Sequence, residues 1–373
     1  MLTRVDIANY RGFKSYRMEG LAQVNLVVGK NNSGKTALLE GLHFLTSGGD
    51  IQALAESARR RGEVVRTRSD GRDFFEIAHF FYDHRFDLNT EFSFTGSNGT
   101  PPVAAKVVAE EKRRGGRGKQ SRPRRTPSGL ALQILIGKGD QAREDRYQLS
   151  SDGAVLLSEE LPHFVMMSPG GALTFTRRGE GKAVRYISTD SIDTASLAAM
   201  RDEVLLSGQE SDIDAALRIL EPDLLSVQML SGVMPYALVG SRAGAVVAIK
   251  GKQGRFPIGS MGDGMRRLLA LATSLAVSKG GSLFVDEIDT GLHYSVMADM
   301  WKLVVKAATG TGVQVFATTH SWDCIEGLSL LCQREPELLG KVAVHTIDRK
   351  LPHSVAFTGE SVVRMVKHQI DPR

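Results

Sequence analysis

The chain has 373 residues, 42% hydrophobic and 24% charged, which is room for one large domain or two ordinary ones with ample core. No apolar run approaches the ~20 residues of a membrane span, and Asp6 falls where a secretion signal would begin its apolar stretch, so a cytoplasmic protein without a membrane partner is expected. The formal charge of +5 is uneven: residues 112–125, KRRGGRGKQSRPRR, hold eight of the 47 basic residues and no acid, which argues against a basic face spread over the whole fold.

Thr3 to Ala8 alternates Val5 and Ile7 with polar neighbours and predicts a strand, after which Asn9 to Ser15 turns the chain. Val24 to Val28 predicts a second strand. Leu38, Leu42 and Leu45 then recur at helical spacing, and Ser47-Gly48-Gly49 stops that helix. Residues 75–100 and 130–157 read as strands joined by turns, a mostly antiparallel insertion. The Gly-, Arg- and Pro-rich stretch inside it predicts a disordered loop over 108–129. Residues 189–230 read as helical through Leu197, Met200 and Leu205, then Ile213, Ala216, Leu217 and Leu220. From Val246 the order is strand, loop, helix, strand, helix, strand, with Ser282–Val285 and Val313–Phe316 as buried parallel strands. The expected parts of this single α/β domain are an N-terminal core (1–74), the β insertion (75–160), a helical lobe (185–280) and a C-terminal core (281–373). Cys324 and Cys332 form neither a disulfide framework nor a zinc spacing.

Two strings carry the chemistry. Gly29-Lys30-Asn31-Asn32-Ser33-Gly34-Lys35-Thr36 is a GxxxxGK[ST] loop between a strand and a helix. Gly29 and Gly34 let successive backbone N–H groups turn toward phosphate oxygens, and the helix starting at Lys35, Thr36 and Ala37 presents its positive end to the same anion. Lys35 supplies charge to the β and γ phosphates, and Thr36 offers a hydroxyl to Mg²⁺. Asp286 and Glu287 close the strand Ser282–Val285. There Asp286 would hold Mg²⁺, and Glu287 would activate the water that attacks the γ-phosphate. Ser260, Gly262 and Asp263 stand at a helix start, another anion site. His320 follows a parallel strand, where it can touch the γ-phosphate or the water. Together these residues predict binding and hydrolysis of ATP with Mg²⁺.

In this order the phosphate loop, Ser-x-Gly-Asp, the Asp-Glu strand end, Asp289-Thr290-Gly291-Leu292-His293 and Thr318-Thr319-His320-Ser321 resemble ABC-type ATPases. NYRGFKS…VNLVVGKNNSGKT and SMGDGMRRLLALA…LFVDEIDTGLH…FATTHS resemble the SMC/RecF/OLD branch. YISTDSIDTASLAAMRDEVLLS also fits its stand-alone OLD-like "AAA family ATPase" subgroup without a Toprim domain. The resemblance covers roughly 1–50 and 185–325. It implies an ABC-type P-loop core with a mixed, largely parallel sheet, an inserted antiparallel β region and a helical lobe. It also implies that Ser260 and Gly262 contact the γ-phosphate held by a second subunit in a homodimer, with Asp289 at the seam and His320 as the switch. The family's glutamine loop has Gln133 as its candidate here.

Unlike SMC relatives, the chain shows no sustained heptads. Too few residues follow His320 for a nuclease domain, so a nuclease would be a separate protein. Such ATPases are often the sensor half of two-gene phage-defence systems, which gives the leading expectation of a switch controlling a separately encoded effector. The alternative is a RecF-like DNA-repair ATPase, with Lys112 to Arg125 neutralising phosphates of nucleic acid. That stretch lacks aromatics for base stacking.

Overall fold

The computed structural model describes residues 1–66, 73–112, 126–139, 142–150, 153–157, 183–189, 200, 202–206, 208, 210–230 and 245–373. The chain opens with β1 (Arg4–Tyr10) and β2 (Phe13–Glu19), then β3 (Val24–Val28) and α1 (Lys35–Thr46). There follow α2 (Ile51–Arg61), β4 (Val64–Arg66), β5 (Asp73–Glu76), β6 (Glu91–Gly96), β7 (Val103–Lys112), β8 (Thr126–Ile136), β9 (Arg143–Gln148) and β10 (Ala154–Leu157). Beyond these lie β11 (Val184–Ile187), α3 (Glu210–Leu217), β12 (Leu224–Met229), β13 (Ala245–Ile249), β14 (Phe256–Pro257) and α4 (Asp263–Val277). The chain continues with β15 (Ser282–Val285), α5 (Met297–Thr311), β16 (Gln314–Thr318), α6 (Trp322–Arg334), β17 (Val342–Thr346), β18 (Val355–Thr358) and α7 (Gly359–Lys367). Among the described residues, no helix is long and apolar enough to cross a membrane.

The chain forms two compact units. One comprises Met1–Thr3, Met18–Leu39 and Val165–Arg373; the other comprises Arg4–Arg17 and Glu40–Phe164. The first is built on a six-stranded sheet in the order β11-β15-β16-β3-β17-β18. Its strands run parallel except for the edge strand β18. β3, β15 and β16 are buried at every position, as strands covered by helices on both faces must be. Val28, Val285 and Ala317 from the sheet join Leu271, Trp301 and Leu328 from α4, α5 and α6 in one core. Trp301 is fully buried because its indole N–H finds the Cys324 carbonyl at 2.8 Å. A smaller sheet, β12-β13-β14, completes the unit.

The second unit carries an antiparallel sheet in the order β2-β1-β6-β7-β8-β9 and a short sheet β10-β5-β4. Tyr10, Phe44, Phe81, Phe92 and Phe94 fill it with tilted and edge-on ring pairs. Gly41 on α1 is required here, since a Cβ would lie 2.5 Å from the Phe94 ring.

This architecture is the P-loop α/β fold expected, with several corrections. The expected N-terminal core 1–74 is divided: Arg4–Arg17 groups with the antiparallel insertion, and Phe13 to Ser15, expected within a turn, open the strand β2. The period-2 pattern cannot say which sheet a strand joins. Helix α2 went unread because its apolar face is mostly alanine: Ala53, Ala55 and Ala58. The loop expected over 108–129 is narrower, because β7 and β8 pair from Val103–Ile136 to Lys112–Thr126; residues 113–125 lie outside the described residues. The helical reading of 189–230 holds for Met200, Leu205, Ile213, Ala216 and Leu217, although Leu205 is exposed; Leu220 stands in a turn, and β12 is a strand. Leu197 lies outside the described residues.

Candidate active site

The site stands at the carboxyl ends of three neighbouring parallel strands, β15, β16 and β3, where open α/β sheets gather their ligands. After β3 the loop takes positive φ at Gly29 (148°), Asn32 (61°) and Gly34 (100°). Gly29 is the tightest of these, since a Cβ there would sit 2.6 Å from the Ile347 carbonyl oxygen. Lys35 begins α1 and is buried. Its Nζ donates to the carbonyls of Gly29 (2.9 Å) and Lys30 (3.1 Å) and meets His320 Nδ1 at 3.2 Å. Burial holds the ammonium below the usual lysine range, against the attraction of Glu287 and Asp286. Thr36 Oγ1 donates to Asp286 Oδ1 at 3.3 Å.

The strand end is fixed from both sides. Thr318 at the tip of β16 donates its hydroxyl to Asp286 Oδ1 at 2.6 Å and accepts the Glu287 N–H at 2.8 Å. Glu287 adopts φ 51°, the left-handed region that a non-glycine residue enters at a cost of roughly 1–3 kcal/mol. Arg267, on α4, donates to the carbonyls of Ser188 (2.7 Å), Asp286 (2.6 Å) and Glu287 (2.7 Å). Burial brings its guanidinium down to about 10, against the pull of Asp286, Asp289 and Glu287.

His320 bridges the two halves. Its Nε2 lies 3.2 Å from Glu287 Oε1. An ammonium can only donate, so Nδ1 is the acceptor from Lys35 and Nε2 faces the carboxylate, in a Lys35–His320–Glu287 chain. Glu287 is raised above the usual carboxylate range, chiefly by burial and against the pull of His320, with Asp286 and Asp289 adding to the rise. A carboxylate raised in this way and open to a half-exposed site has the properties of a general base.

The sequence-predicted residues divide into two sets. Gly29, Asn31, Asn32, Ser33, Gly34, Lys35, Thr36 and Ala37 form one loop and helix start, and Asp286, Glu287 and His320 converge on it. Ser260, Gly262 and Asp263 stand apart, exposed at the start of α4, where Ser260 Oγ donates to the Pro257 carbonyl at 2.7 Å. Among the described residues no hydrogen bond joins them to the phosphate loop. Asp289 serves within the chain, accepting the Thr319 hydroxyl at 2.6 Å. Gln133 is mid-strand in β8, paired opposite Lys106 and Arg146, and belongs to no loop.

Sequence reasoning missed Arg267 and the two bonds of Thr318, although both lie inside strings that carried the resemblance. It also missed Arg373, whose Nη1 donates to the His320 carbonyl at 2.5 Å. The oxygens of Thr36 and Asp286 suit a hard divalent cation held by one protein carboxylate with phosphate oxygens completing its shell. Such an ion would supply charge for the developing phosphate oxyanions.

Comparison with known proteins follows the same lines. Residues 1–100 match the family model "AAA ATPase domain", and residues 191–323 match the model "AAA domain, putative AbiEii toxin, Type IV TA system". A protein of Helicobacter pylori (strain ATCC 700392 / 26695) described as an ATP/GTP phosphatase is 20% identical over 87% of both chains. The DNA replication and repair protein RecF of Marinomonas sp. (strain MWYL1) is 51% identical, over 47 residues that make up 13% of each chain. Among solved structures, an Smc head bound to the C-winged helix domain of ScpA is 13% identical with a TM-score of 0.47, covering 98% of this chain and 99% of that one. Motifs, site geometry and family matches together support an ATPase built on a phosphate loop.

Proposed function

We propose that this chain binds ATP with Mg²⁺, closes as a homodimer around it, and uses hydrolysis to switch a separately encoded effector, in the manner of a phage-defence sensor. The reading is carried by the Lys35–His320–Glu287 chain beside the Thr36–Asp286 pair, a hydrolytic set within hydrogen-bonding reach in one unit. Glu287 is the base, His320 orients it and senses the γ-phosphate, and Lys35 leaves its own loop carbonyls for phosphate oxygens. The exposed Ser260, Gly262 and Asp263 are available to a second copy, since nothing in their own chain's phosphate loop holds them. The description of the family model over 191–323, a toxin of a type IV system, favours a defence role over a housekeeping one. The RecF matches fall on 47 residues and give the DNA-repair reading no support beyond that segment.

The test is the size of the Glu287→Gln protein by light scattering, with and without ATP and Mg²⁺, followed by recovery of the ATP-bound form from its host with half the sample nuclease-treated. An ATP-dependent doubling of mass with a stoichiometric, nuclease-resistant companion is expected. A monomer at saturating ATP removes the dimer switch, and nucleic acid in place of a protein companion moves the reading to DNA repair.

A further inference from the structure

Arg267 is the residue on α4 that touches the strand end carrying the general base. It is almost fully buried, yet among the described residues no carboxylate oxygen lies within hydrogen-bonding distance of its side chain. Its three hydrogen bonds among the described residues end on backbone carbonyls, at Ser188 after β11 and at Asp286 and Glu287 after β15. A guanidinium spent on peptide oxygens fixes backbone geometry, because its planar fork sets the direction of each acceptor. The peptide it holds is the one with positive φ, Glu287, whose N–H is tied on its other side to Thr318. A strained conformation of this kind persists only where its surroundings over-determine it.

The first turn of the same helix makes a second contact with this region. Gly264 packs so closely on the loop after the strand that a Cβ would lie 2.8 Å from the Gly291 carbonyl oxygen. The helix begins at the exposed Ser260–Asp263 turn, four residues before Arg267.

We propose that Arg267 is a positioning residue that sets the orientation of the Glu287 carboxylate by holding the backbone carbonyls on either side of the Asp286–Glu287 step. This rests on the hydrolytic role assigned to Glu287 above. It adds a requirement on α4 itself: nucleotide binds at the phosphate loop with or without the Arg267 guanidinium, but turnover needs the guanidinium that holds the Asp286 and Glu287 carbonyls.

Four proteins test it: the parent, Glu287→Gln, Arg267→Met and the double variant. Binding of a fluorescent ATP analogue and steady-state phosphate release are measured on each, with thermal melting to confirm folding. The expected result is ATP-analogue affinity within about twofold of the parent for Arg267→Met, kcat down by at least tenfold, and a double variant no slower than Glu287→Gln alone. Arg267→Lys, which keeps the charge but reaches fewer carbonyls, should lie between Met and parent, and it decides the matter by the same readouts if the Met variant does not fold. Parent-like kcat in the Arg267 variants, with Glu287→Gln inactive, overturns the proposal and leaves the active site intact. Loss of nucleotide binding in step with kcat also overturns it, since Arg267 would then serve the binding fold alone. Full turnover in Glu287→Gln removes the site reading and this proposal with it.

Discussion

Both units hold a cluster of charged side chains, and the two are built for opposite ends. In the antiparallel unit Arg11 grips Glu63 through two bonds of 3.0 Å, reaches Ser57 Oγ at 3.0 Å and Glu40 at 3.3 Å, and stacks 4.6 Å from the centre of the Phe80 ring. Arg61 covers the other side of Glu40, whose side chain is wholly buried. Burial works against the Arg11 charge, yet Tyr10, Glu40 and Glu63 hold it above its ordinary value. In the parallel unit the corresponding groups are pushed toward neutrality: Lys35 down, Glu287 up. One cluster satisfies its charges and makes structure. The other leaves them under-compensated, with Lys35 buried and Glu287 partly open, the condition in which a proton or a phosphate finds a partner.

The strongest way to break the comparison is at the poised cluster. Glu287→Gln should lower kcat by on the order of 10²–10⁴ with nucleotide binding retained, as loss of a general base does. Its chemical stability should not fall, because the amide removes a carboxylate that burial disfavours. Phosphate release and urea unfolding check the two halves. In the parent, turnover should fall on acidification through a pKa above that of an ordinary glutamate, since the base must be ionised.

The reverse holds for the satisfied cluster. Arg11→Met strips Glu63 of its bidentate cation and leaves the buried Glu40 with Arg61 alone, and should cost about 3–5 kcal/mol, as breaking a buried ion pair does. A urea midpoint no lower than that of Glu287→Gln would show that the two clusters do not differ as described.

A smaller effect sharpens the contrast within the antiparallel unit itself. Glu56 on α2 is fully buried, and its nearest cationic contact is Arg60 at 3.8 Å; burial raises its pKa to about 8 despite Arg60 and Arg59. The folded state therefore keeps a proton that the unfolded chain releases above its ordinary value near 4.5. Stability contributed by this proton is present at acid pH and is lost as pH rises through about 8. Glu56→Gln should flatten that slope and stabilise the protein by roughly 1–3 kcal/mol at pH 8 and above, with little effect near pH 4. Denaturant unfolding across pH measures it, and an unchanged slope would mean Arg59 and Arg60 already neutralise the carboxylate.

How much of this was legible in the sequence depended on range. Gly29, Gly34, Lys35 and Thr36 could be read because one loop supplies strand, turn and helix start within a few residues. Asp286 and Glu287 could be read because Ser282–Val285 is an apolar run buried on both faces. The sequence by itself therefore determined the phosphate-loop conformation between strand and helix, the largely parallel core and the presence of an antiparallel region. Only the tertiary structure decided which sheet took β1 and β2, since an alternating strand has no local mark of its partner. The same holds for Lys35 meeting His320 across 285 residues of chain, and Thr318 and Arg267 clamping the Glu287 peptide across 31 and 20. Those contacts are made by side-chain directions at the ends of different strands and a helix, and directions are set by packing, not by the order of residues along the chain.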